Sequence, residues 1–136
     1  MAANTSRALV SRYLDLYNTG NVVIADEIIA ADFVDHTHPE LRRGPEDVKH
    51  MVTGFRAAFP DALGMVEQVI SEGDMVAFRF VLRGTHQGTF GHLAPTGKQV
   101  AWTGMDFVRI ADGKFAELWS NQDTLSLLQQ LGGILR

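Results

Sequence analysis

Residues 99–122 read QVAWTGMDFVRIADGKFAELWSNQ. Two runs rich in Val, Phe, Trp and Ile flank Asp112-Gly113, a dipeptide that favours the tight turn of a β-hairpin. The first run, Gln99 to Ile110, alternates: Val100, Trp102, Asp106, Val108 and Ile110 share one face, and Ala101, Met105 and Phe107 the other. The second run, Phe115 to Gln122, returns as its antiparallel partner. Both faces of the first strand are apolar, so alternation leaves open which one meets the interior. Asp106 is a carboxylate among apolar neighbours, a costly placement unless it is hydrogen-bonded, protonated or paired with an arginine such as Arg79 or Arg83.

Working back from this hairpin, Met65 to Ile70 and Met75 to Arg83 are strand-like and are joined by a turn at Ser71–Asp74. Before Leu63 the period becomes helical. Leu9, Val10, Tyr13, Leu14 and Tyr17 form one stripe between about Thr5 and Asn18. A shorter helix is predicted from Val22 to Ala30. Pro45 suits the first position of a third helix, with Glu46 and Asp47 at its positive end and Val48, Met51, Val52, Phe55 and Phe59 as its buried stripe. Beyond the hairpin, Leu125, Leu128 and Leu131 recur at helical spacing over Thr124–Leu131, and Gly132 suits its stop. Helices on one face of an antiparallel sheet make an α+β domain.

The chain has 136 residues, the size of one domain, so residues 1–136 are read as a single unit. A net charge of −4 offers no basic footprint for nucleic acid. There is no cysteine, which removes disulfides, thiolate nucleophiles and cysteine zinc sites. No apolar run reaches the roughly 18 residues of a membrane span. The stretch MAANTSRALV lacks the basic head and apolar core of a signal peptide, and a cytoplasmic protein is expected. No GxxxxGK[ST] phosphate loop and no GxSxG elbow occurs.

The residues with chemical potential are few. Asp123 precedes the last helix, where Asp is a preferred N-cap, although Thr124 can cap instead. His36 and His38 form an HTH triplet that would share a face on a strand. Metal binding needs further ligands, and no other histidine stands at a recognised spacing, so no metal is expected. His86 in GTHQG sits between glycines that suggest a turn. Arg79 and Arg109 offer forked donors for an ester or carboxylate, with salt bridges as the alternative. Trp102 and Trp119 belong either to an aromatic pocket or to the core. Tyr17 needs a partner for its hydroxyl if buried.

Four phrases in order, FVDHTHPELRRGPEDVKHMVTGFRAAFPD, GTHQGTFGHLAPTGKQV, GMDFVRIADGKFAELW and DTLSLLQQLG, make the chain resemble the SnoaL-like polyketide (ester) cyclases, within the nuclear transport factor 2-like superfamily. The resemblance spans roughly residues 5–132. It implies a cone of helices on a strongly curved antiparallel sheet, with a deep apolar pocket, no cofactor and a homodimer formed through the sheet. It implies acid/base chemistry on a small apolar carbonyl-bearing ligand, by aldol-type cyclisation or proton transfer next to a carbonyl. By position, Asp123 matches the family's acid/base aspartate, and His36 and Tyr17 match residues near its pocket. Asp106 resembles the position where related ketosteroid isomerases hold a protonated acid. Asn121 and Gln122 make the run before Asp123 more polar than in typical members. The wider fold also includes non-catalytic binding proteins and enzymes that activate water, and both remain open alternatives.

Overall fold

Asp112 and Gly113 both adopt positive φ, 53° and 75°. This is the conformation a two-residue hairpin loop requires, and Asp and Gly tolerate it best. The computed structural model describes residues 3–38 and 44–134. The hairpin joins Gln99–Ala111 (β4) to Lys114–Gln122 (β5). Leu63–Glu72 (β2) and Met75–Thr85 (β3) complete an antiparallel meander. Each of these strands extends the predicted one by one or two residues at its ends.

The helices are Ala3–Thr19 (α1), Val23–Ile28 (α2), Pro45–Ala58 (α3) and Thr124–Leu131 (α4). One element differs from the sequence expectation. The second helix ends at Ile28, and Ile29–Asp35 continues as a strand (β1) that pairs in parallel with β5. The sheet order is β1-β5-β4-β3-β2, so the antiparallel sheet carries a parallel edge strand. An irregularity between Ile29 and Val34 breaks the register of β1. A short interrupted edge strand lacks clean alternation, which explains why local pattern does not mark it.

The helices cover one face. α1 packs on β2 and α2, α3 on α2 and β1, and α4 on β4. The core between the layers includes Val10, Leu16, Phe33, Val52, Phe59 and Phe115, all fully buried. Each such large side chain contributes roughly 1.5–3 kcal/mol through removal from water. Gln130 of α4 clamps the backbone of β4: its Nε2 donates to the Ala101 carbonyl at 2.7 Å and its Oε1 accepts from the Ala101 amide at 3.0 Å.

The β3–β4 connection lies against the end of α3. The amides of Gln87 and Gly88 donate to the Ala58 carbonyl at 3.0 and 3.1 Å. A Cβ on Gly88 would lie 2.0 Å from the Ala57 carbonyl oxygen, so only glycine allows this approach. His86 locks the same loop. Its Nδ1 accepts from the Thr96 amide at 3.2 Å and its ring is fully buried. The histidine of the GTHQG phrase is therefore a support for the loop, and Thr89, Phe90 and Gly91 are held where they wall a cavity.

Candidate active site

The covered face of the sheet and the helices above it enclose a cavity of about 610 Å³. Phe55, Phe78, Phe80 and Trp102 give it aromatic walls. The burial pattern of β4 settles which face looks inward: Val100, Trp102, Asp106, Val108 and Ile110 are buried, and Met105 and Phe107 are exposed. Asp106 therefore lines the cavity.

Asp106 is 4% exposed. Burial pushes its carboxyl up to about 7, against a lowering by the hydrogen bond from Ser120 and a further rise from the nearby Asp35 carboxylate. Its Oδ1 is buried without a hydrogen-bond partner among the described residues. A carboxyl held near neutrality in an apolar cavity can accept a proton and return it.

Ser120 reaches Asp106 because of a bulge. Ala111 pairs with Lys114 and Ile110 with Phe115, but Arg109 pairs with Glu117, so Ala116 is an inserted residue in β5. Without it, Trp119 would stand opposite Asp106. With it, Ser120 pairs with Asp106, and Trp119 pairs with Phe107 on the outer face.

Two tyrosines face the same space. Tyr13 and Tyr17, one turn apart on α1, both line the cavity, with hydroxyl oxygens 3.4 Å apart. Burial, first, keeps both protonated: Tyr17 is raised to about 12 and Tyr13 well above its ordinary value, and the Asp106 charge adds to both. Either hydroxyl can donate in their mutual hydrogen bond, so one hydroxyl proton of the pair is left for a ligand oxygen.

Asp35 ends β1 and is mostly buried. Its Oδ1 accepts from the Thr37 amide at 2.9 Å, and its Oδ2 lies 2.9 Å from Nδ1 of His38. Asp35, Thr37 and His38 all line the cavity.

The remaining candidates named from the sequence lie elsewhere. Asp123 does not face the cavity. Its Oδ1 accepts from the Ser126 amide at 3.0 Å as the N-cap of α4, and the residue is exposed. Its neighbours Gln122 and Thr124 take the cavity wall, and Gln122 Oε1 accepts from the Trp102 indole at 2.9 Å. His36 is also outside the cavity. Its ring stacks on Trp119 at 4.6 Å, and Nε2 lies 3.0 Å from Glu117 Oε1. β1 ends before the HTH triplet, so His36 and His38 do not share a strand face. Glu117 also pairs with Arg109, the main cause of its lowered pKa. Arg79 pairs with Glu67 at 3.4 Å and is half exposed. Arg79, Arg109 and Trp119 thus belong to the outer side of the sheet, where β-strand alternation opposes them to Phe78, Val108 and Leu118. Asp106, Tyr17 and Trp102 are brought together on the cavity wall.

Three contributors escape a reading of the sequence alone. Tyr13 reads only as part of a helical stripe, although its i, i+4 spacing to Tyr17 is a visible signal. Ser120 depends on the bulge, and Asp35 on a strand that local pattern does not reveal. Among the described residues, no group of three or more His, Asp or Glu side chains is placed to hold a metal ion. Among them also, no helix is long and apolar enough to cross a membrane.

Several solved structures share this fold. TsrD from Streptomyces laurentii superposes with a TM-score of 0.93 at 23% identity, covering 98% of this chain and 99% of its own, a likeness that bears on the fold alone. AclR from Streptomyces galilaeus, a candidate hydroxylase, gives 0.86 at 27% identity over 99% of this chain and 85% of its own. IdmH from Streptomyces antibioticus, a candidate polyketide cyclase, gives 0.80 at 30% identity over 93% of this chain and 97% of its own. Among curated proteins, none matches the sequence. The family model of the SnoaL-like polyketide cyclases matches residues 7–131. With the helices, sheet and closing helix arranged as in these relatives, the chain belongs to the SnoaL-like polyketide cyclase family.

Proposed function

We propose that this cavity carries out cofactor-free acid/base chemistry on a largely apolar, carbonyl-bearing ligand, with Asp106 as the proton carrier. The reaction class is proton removal next to a carbonyl, followed by aldol-type ring closure or by reprotonation. The observation that carries this reading is the buried Asp106 carboxyl, with one oxygen unpartnered and a pKa near 7. In its ionised state it takes a proton from the carbon next to a carbonyl, and the carbon's electron pair moves toward the carbonyl oxygen. Tyr17 donates a hydrogen bond to that oxygen, backed by Tyr13. In cyclisation the carbanion-like carbon attacks a second carbonyl, and the protonated Asp106 returns its proton to the new alkoxide. The family's own description supports polyketide-type ligands for this chemistry.

A generic carbon acid tests the reading without knowledge of the natural ligand. The protein should deprotonate 5-nitrobenzisoxazole, releasing a coloured phenolate, and Asp106→Asn should abolish the reaction while leaving the fold intact. A wild-type rate no faster than that of the variant would favour a binding protein instead.

The outer side of the sheet exposes Met65, Met105, Phe107 and Trp119. A second copy of the chain covering this face would remove that apolar surface from water. Sedimentation analysis of wild type and Phe107→Asp tests the homodimer, with dissociation expected in the variant.

A further inference from the structure

We propose that His38, held by Asp35, is a second catalytic proton carrier of this cavity, acting on the ligand oxygen while Asp106 acts on carbon. The inference rests on the acid/base reading of Asp106 and assigns a partner to it.

Its basis is geometric. The Asp35 carboxylate uses both oxygens: one fixes the Thr37 amide at 2.9 Å and the other meets His38 Nδ1 at 2.9 Å. The His38 amide returns to the Asp35 carbonyl at 3.3 Å. A turn tied three times to one residue leaves the imidazole little freedom. A carboxylate at Nδ1 favours the tautomer with its proton there, which leaves Nε2 as the exchanging atom. Nε2 has no protein partner among the described residues. His38 is about one-third exposed at 36%, against 12% for Asp35, so the pair runs from the cavity toward solvent.

The pair is also close to the rest of the site. Asp35 is near enough to Asp106 for its charge to raise the Asp106 pKa, and it acts in the same direction on Tyr13 and Tyr17. The other cavity-lining histidine, His50, has no carboxylate partner among the described residues. His36 is on the far side of the sheet, on Glu117 and Trp119. Among the described residues, the titratable groups lining the cavity are therefore Asp106, Asp35, His38, His50, Tyr13 and Tyr17.

The proton inventory closes. The Asp106 carboxylate breaks the C–H bond and becomes the acid. The doubly protonated His38 gives its Nε2 proton to the ligand oxygen, producing an enol and a neutral imidazole whose Nδ1 proton stays on Asp35. When the enol carbon bonds to the second carbonyl, the enol O–H proton returns to Nε2 as the first carbonyl reforms. Asp106 then protonates the new alkoxide. No proton is gained or lost, and the Asp35 carboxylate offsets the positive ring charge before and after.

Two probes separate the roles. Removal of a proton from 5-nitrobenzisoxazole yields a phenolate of low basicity that needs no acid. Exchange of the α-protons of 2-tetralone into deuterated water builds negative charge on the strongly basic carbonyl oxygen, so a proton donor at oxygen speeds it as well as a base at carbon. His38→Gln should lower tetralone exchange on the order of 100-fold, mainly in kcat. The tetralone-to-benzisoxazole rate ratio should fall at least about tenfold, since a general acid acts on only one of the two reactions. Asp35→Asn should lower the same ratio. It should also move the pH midpoint of benzisoxazole conversion below the wild-type value, because the Asp35 charge no longer raises Asp106. Circular dichroism of both variants checks folding. An unchanged ratio in His38→Gln, or an unmoved midpoint in Asp35→Asn, would overturn the proposal. If the wild type converts neither probe, the Asp106 reading fails and takes this one with it. If Asp106→Asn alone abolishes benzisoxazole conversion while His38→Gln keeps the wild-type ratio, Asp106 stands and His38 does not.

Discussion

Ser120 stands directly opposite Asp106 across β5 and β4, and both line the cavity. The Ser120 side chain lowers the Asp106 pKa against the rise from burial, leaving it at about 7. Its contribution sets the fraction of Asp106 that is ionised at neutral pH. Removing the hydroxyl with Ser120→Ala should therefore raise the Asp106 pKa further. The pH profile of benzisoxazole conversion rises as Asp106 ionises, so its midpoint should move to higher pH in the variant. A midpoint that stays put, or moves down, would show that Ser120 does not tune Asp106.

Asp106 should also make stability depend on pH. Its folded-state pKa is raised, so the folded chain keeps a proton that the unfolded chain releases. Stability attributable to this group is highest below about pH 4 and falls as pH rises toward about 7, then stays level. The gap between the ordinary 3.8 and about 7 corresponds to roughly 4 kcal/mol, an upper bound if water enters the cavity. Urea unfolding of Asp106→Asn and wild type should show their difference growing in favour of the variant across that range. Parallel curves would mean that Asp106 titrates as an ordinary carboxyl.

Tyr13 and Tyr17 are the only tyrosines of the chain, so near-ultraviolet titration reads them alone. Tyr17 should stay protonated until about pH 12, and Tyr13 should ionise no earlier. Unfolded tyrosines ionise near 10, so the folded state should lose stability between about 10 and 12. Phenolate absorbance appearing near 10 in a chain whose far-ultraviolet spectrum is still native would sink this. Tyr17→Phe should slow tetralone exchange roughly a hundredfold in kcat if its hydroxyl meets the ligand oxygen.

Asp123 caps α4 from outside the cavity. Asp123→Asn should leave both stability and probe turnover near wild type, because Asn caps as well as Asp. Asp123→Ala should cost about 1 kcal/mol by thermal or urea unfolding, again with turnover kept. Loss of turnover in a stable Asp123→Asn protein would restore this residue to the mechanism.

Much of this is legible in the sequence. Helical stripes, the Pro45 start, the Asp112-Gly113 turn and the alternation of Gln99–Ile110 point to helices on an antiparallel sheet, because these are local preferences repeated over many residues. The same alternation puts Asp106 among apolar side chains, and the Thr124–Leu131 spacing puts a cap at Asp123.

The contents of the cavity were decided by tertiary structure. Local pattern cannot tell which face of β4 the helices cover, since both faces are apolar, and the packed layers chose the one with Asp106 and Trp102. One inserted residue, Ala116, sends Trp119 outward and Ser120 inward, because the side-chain period of a strand is two and a single slip reverses every position beyond it. A strand that forms only by pairing with β5 carries Asp35 and positions His38 beside it. The sequence by itself determined that a carboxylate would be buried in an apolar sheet. Only the pairing of distant strands, which depends on long-range contacts rather than local preference, determined which hydroxyls and which Asp–His pair would share its cavity.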